Sequence, residues 1–118
     1  MSVTSNAARN IPRDEIKKER LTGSSGALVA ISITAVPERR HQLFKVMWSY
    51  SGVPTGGRLY VEDGSGGPVL FDIDIIAGGP GGFELSGLIG SANTALVINL
   101  VGVGGVVGKL NLEYQTRM

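Results

Sequence analysis

Cysteine is absent from this chain of 118 residues, and histidine occurs once, as His41. Without thiols, neither a disulfide framework nor a thiolate metal site can hold the fold, and one histidine cannot build a zinc site within a single copy. Three copies around an axis could bring three His41 side chains together. Long apolar runs are missing too. The longest, ALVAISITAV from Ala27 to Val36, is interrupted by Ser32 and Thr34 and has about half the length of a membrane-spanning helix. The first 22 residues are polar and mixed in charge, unlike the basic start and apolar core of a secretory signal. The expectation is a product made in the cytoplasm, with no membrane partner.

What is present points to strands. Apolar residues make up 42% of the chain, enough for one core, while charged residues are scarce at 18%. The 18 glycines exceed average usage roughly twofold without a collagen period, which favours many turns over long solvated helices.

Charge divides unevenly. Residues 1–27 carry Arg9, Arg13, Lys17, Lys18 and Arg20 against Asp14, Glu15 and Glu19, a balance of +2, and the remainder balances at −1. Signs interspersed in this way lack the concentrated basic footprint that nucleic acid requires, so no nucleic-acid partner is expected. The stretch MSVTSNAARNIPRDEIKKERLTGSSG has few large apolar residues and ends in a Gly/Ser break. It reads as an extended arm over residues 1–26, joined by a hinge to a domain over residues 27–118. Within the arm, DEIKKER suits one or two helical turns or a first edge strand.

From Ala27 onward the pattern has period two, which places alternate side chains on opposite faces of a strand. Val29, Ile31 and Ile33 share one face. Phe44, Val46, Trp48 and Tyr50 share another, which assigns Phe44 and Trp48 to the core, with Tyr50 at the strand's end as the exposed aromatic. SGVPTGG then turns the chain into GRLYVEDG, and the two strands read as a hairpin. In PVLFDIDII, Val69, Phe71, Ile73 and Ile75 oppose Asp72 and Asp74. AGGPGG reads as a break before the short strand FELSGLIGS. TALVINLVG and VVGKLNLEY close the chain around the turn GVGG. Six or seven short strands with glycine-rich corners predict an all-β fold, an antiparallel β-sandwich of jelly-roll-like form.

Candidate chemistry is sparse. GVGGVVGK has the wrong glycine spacing for a phosphate loop, and Leu110 stands where the hydroxyl residue belongs. Asp72 and Asp74, with Glu62 and Asp63 nearby, could offer oxygens to a hard cation, but carboxylates two residues apart equally mark the solvent face of a strand. The aromatic residues could stack sugars or bases, yet they share their face with an aliphatic residue, as core strands do. No nucleophilic arrangement is visible, so a non-enzymatic protein without catalytic residues, metal or cofactor is expected.

The run HQLFKVMWSYSGVPTGGRLYVEDG, followed by VLFDIDI, a GGPGG-type turn, NTALVINL and VVGKLNLEY, resembles small virion structural proteins of tailed phages and prophages over roughly residues 28–114. That resemblance implies a β-sandwich or jelly-roll domain acting as a capsid decoration (cement) protein, head fibre or tail-associated part, frequently as a trimer. The expected function is a homotrimeric decoration protein on the outer head surface of a bacteriophage virion, its partner the major capsid protein or another virion protein. A carbohydrate- or receptor-binding module of a tail or head fibre is the alternative. Arg9, Ile11, Arg13, Ile16, Lys17, Arg20 and Leu21 are the arm residues expected to contact the capsid, unless DEIKKERL instead pairs as an edge strand.

Overall fold

The computed structural model describes residues 15–118. Eight strands follow one another: β1 (Lys17–Thr22), β2 (Val29–Ile33), β3 (Arg40–Tyr50), β4 (Gly57–Asp63), β5 (Val69–Ile75), β6 (Gly79–Ile89), β7 (Leu96–Leu100) and β8 (Gly108–Arg117). They form two four-stranded antiparallel sheets, ordered β1-β8-β3-β6 and β2-β7-β4-β5. Every connection except β4–β5 crosses from one sheet to the other. This is a β-sandwich with the eight-stranded jelly-roll arrangement.

Period two produces this packing directly. In β2 the inward Val29, Ile31 and Ile33 are buried, while Ala30 and Ser32 between them are exposed. Leu59 and Val61 of β4, Leu96, Ile98 and Leu100 of β7, and Leu110, Leu112 and Tyr114 of β8 complete a single core with β3. Each such aliphatic side chain contributes about 1.5–3 kcal/mol by leaving water, and no cross-link is needed.

The β3–β4 hairpin expected around SGVPTGG does not form. β3 pairs with β6 and β8, whereas β4 pairs with β5 and β7, so this turn carries the chain between sheets. Phe44 is also outside the core. The register shifts between Leu43 and Lys45 while β8 runs on without an extra residue, so Phe44 is a bulge residue that changes the strand's parity. His41 and Leu43 point inward before it, and Val46, Trp48 and Tyr50 after it.

The expected break at AGGPGG is instead the first half of β6, an edge strand of eleven residues. Pro80 is tolerated because an edge strand need not donate on both sides. The glycines fit because the opposing strand fills their space. A Cβ on Gly81 would lie 2.6 Å from Trp48 Cζ2, and one on Gly82 2.9 Å from Met47 Cγ. In the N-terminal segment the edge-strand alternative is the one that forms: Lys17–Thr22 pairs antiparallel with Tyr114–Lys109, so β1 joins the sheet ahead of Ala27. Residues 1–14, with Arg9, Ile11 and Arg13, lie outside the described residues.

Candidate functional site

Residues 15–22 are all exposed, and β1 is an outer edge of its sheet. Strand alternation gives this edge two faces. Leu21, opposite the buried Leu110, and Glu19, opposite Leu112, point toward the inter-sheet side, while Lys18 and Arg20 point away from it. Of the arm residues expected to make contacts, Ile16, Lys17, Arg20 and Leu21 therefore gather here, with Ile16 50% and Leu21 43% exposed. Backbone N–H and C=O groups on the outer side of such an edge are a template for a further chain.

Beside β1, a cleft of about 270 Å³ opens between the sheets, lined by Lys17, Glu19, Ile31, Ile33, His41 and Tyr114 among others. His41 is buried at its base. Its Nε2 donates to the Thr34 carbonyl at 2.8 Å, and Nδ1 shares a hydrogen bond of 2.9 Å with the Thr116 hydroxyl. Both nitrogens are occupied, so His41 acts as a core polar link rather than a ligand displayed to other copies. Burial pushes the Tyr114 phenol up, and the Glu19 charge adds to the effect.

The opposite side of the sandwich is bounded by β5 and β6, and it is aromatic. Trp48 and Phe83 lie 5.5 Å apart between ring centroids, and Phe83 meets Phe71 edge-on at 5.8 Å. Trp48 and Phe83 border a recess of about 350 Å³ that Ile73, Ile75, Ile76, Pro80 and Gly81 help to line. Trp48 itself is buried, as its parity predicts, whereas Phe83 is 45% and Ile76 83% exposed. The pattern places Phe83 at the start of the short strand FELSGLIGS but does not bring it to Trp48, because that contact depends on Gly81 lying opposite the indole.

Tyr50, expected to be exposed, is buried. Its hydroxyl donates to the Val101 carbonyl at 2.7 Å. The jelly-roll crossing lays the end of β3 beneath the β7–β8 connection, which covers it. Burial raises the phenol, partly offset by a hydrogen bond with the Arg58 backbone.

The four carboxylates considered for a cation are each engaged or dispersed. Asp72 accepts both Arg58 Nε and a terminal guanidinium nitrogen at 2.8 Å, and that contact holds its carboxyl below the ordinary range. The same guanidinium stacks 4.2 Å above the Tyr60 ring. Asp63 accepts from the Ser91 backbone N–H at 2.9 Å and from its hydroxyl. Glu62 accepts from Asn99 at 3.1 Å. Among the described residues no group of three potential ligands converges. GVGGVVGK is a turn in which Val103 bridges Val106, both buried.

No protein-family model matches the chain. No curated protein matches it either. Among solved structures, a chain from the Bacillus endospore appendages, which form disulfide-linked pili, aligns over 89% of this chain and 90% of that one, with a TM-score of 0.42 and 14% identity.

Proposed function

We propose that this chain is a non-enzymatic structural subunit of a phage virion, a decoration protein that binds the outer head surface as a trimer. The observation that supports this reading best is the state of β1. Eight consecutive residues, Glu15 to Thr22, are exposed on the edge of a sandwich whose inner strands hold the buried core, and they mix cations with the apolar Ile16 and Leu21. Such an edge is suited to macromolecular contact and offers little to a small substrate. The segment that leads into β1, with Arg9, Ile11 and Arg13, would reach the head surface, and three copies would turn weak contacts into firm attachment.

Heads lacking the protein provide the test. Added protein should co-sediment with them and raise their disruption temperature. Failure to sediment with heads, together with binding to host cells or glycans, would replace this reading with the fibre-module alternative.

A further inference from the structure

We propose that copies of this chain associate head to tail by continuing one sheet into the next, with β6 of one copy pairing antiparallel to β1 of its neighbour and Glu84 opposite Lys18. Both strands are sheet edges, at opposite ends of the β1-β8-β3-β6 sheet. Strand direction alternates across these four strands, so a further β1 beside β6 meets it antiparallel without inverting the molecule.

Charge fixes the register. Lys18 lies opposite Glu113, Glu113 opposite Lys45, and Lys45 opposite Glu84. One row across the outer sheet face therefore reads plus, minus, plus, minus. A neighbouring Lys18 beyond Glu84 continues that alternation at the same height along the strands, and directly opposed unlike charges stabilise a sheet pair.

Shape selects the same register independently. With Glu84 opposite Lys18, antiparallel counting puts Gly81 opposite Leu21 of the next copy. Both positions face the inter-sheet side, since Gly81 pairs with Trp48 and Leu21 with Leu110. Gly81 lacks a side chain at the mouth of the aromatic recess of about 350 Å³, and Leu21, 43% exposed in its own copy, is the apolar group that would enter it. A slip of one residue would turn Leu21 to the outer face.

A contact between two different edges is heterologous, so it generates a ring or a filament. Closure at three copies rests on the trimer proposed above; the contact itself does not. The N-terminal segment is then divided, with β1 serving the neighbouring copy and the residues before it free to reach the head.

The test is a charge swap in the full chain, read by light scattering and analytical ultracentrifugation. Lys18→Glu and Glu84→Lys should each weaken association by about tenfold or more through like-charge contact, and the double variant should return close to wild type. Effects confined to one chain cannot cancel in this way. Each change opposes a like charge within its own sheet, at Glu113 or Lys45, and three strand spacings, about 14 Å, separate the two positions. Leu21→Ala supplies a second reading: it should weaken association and abolish a red shift of Trp48 emission on dilution of the wild type. Additive losses in the double variant, or a wild type monomeric at micromolar concentration, would overturn the interface. Head binding measured alongside separates the two proposals, because attachment that persists while the swap fails to cancel removes this contact and leaves the decoration reading intact.

Discussion

Trp48 and Gly81 form one packing unit, because the indole occupies the volume that a side chain on the facing strand would need. Trp48→Ala should cost about 3–5 kcal/mol, the usual loss for a large buried aromatic. Gly81→Val should cost about 1–3 kcal/mol by overpacking against the same ring. Chemical denaturation checks both, and a wild-type tryptophan emission like that of indole in water would refute the packing. Tyr50 carries a pH consequence. Burial raises its folded-state pKa above the ordinary value of 10.0, so the stabilisation it confers is complete below pH 10 and is lost as pH rises through the higher folded value. Tyr114 shifts in the same direction. Denaturation midpoints should therefore hold level from neutral pH to about pH 10 and fall above it. Tyr50→Phe should cost about 1 kcal/mol at neutral pH, through the lost hydrogen bond to Val101, and should flatten part of the alkaline fall.

At the scale of the strand, Phe44 makes an unusual deletion tolerable. Removing one residue from the middle of a regular strand turns one half inside out. Here Phe44 is already the extra residue against β8, so its deletion leaves Leu43 inward, Lys45 outward and Val46 inward, in unbroken register with β8, while the irregularity opposite the edge strand β6 stays. The variant should fold with a loss of no more than about 2 kcal/mol, whereas deletion of Met47 from the same strand should unfold the protein; matching thermal melts for the two would contradict the bulge assignment. The bulge also marks what the sequence could show. Alternation in VAISI and GRLYVED was legible because each strand keeps one parity throughout and buries its large residues on one side, while TALVINL was legible as an apolar strand that the structure buries on both faces. Phe44 was misplaced because a bulge changes parity without a Gly or Pro to announce it. The start of β6 was hidden because glycines usually end strands, and here Trp48 and Met47 on the facing strand occupy the space beside Gly81 and Gly82. β1 was legible only as an alternative, since its stability comes from backbone pairing with β8 rather than from apolar side chains. The surface of interest joins β1 to β6, one read as an arm or an edge strand and the other as a break followed by a short strand, so composition alone did not bring them together.

For the whole molecule, the position of β1 separates two roles that residues 1–26 could otherwise share. A chain beginning at Glu15 retains β1, its pairing with β8 and the lip of the cleft that Ile31, Ile33 and Tyr114 line. It should keep the circular dichroism, melting temperature and oligomeric state of the full chain, and lose most of its binding to heads. The missing fourteen residues carry Arg9, Ile11 and Arg13, to which the proposed function assigns the contacts with the head. A chain beginning at Ser24 removes β1 as well. It leaves β8 as an unprotected edge and opens the cleft to water, at a cost of about 1–2 kcal/mol and a fall of roughly 5–10 °C in Tm. It should also be monomeric, because Lys18 and Leu21 are gone. The three chains thus divide attachment from association: the loss of head binding belongs to the first truncation and the loss of oligomer to the second. If the chain beginning at Glu15 were already monomeric, residues 1–14 and not the β1–β6 contact would hold the copies together; if it still bound heads at full strength, attachment would have to come from the sandwich itself.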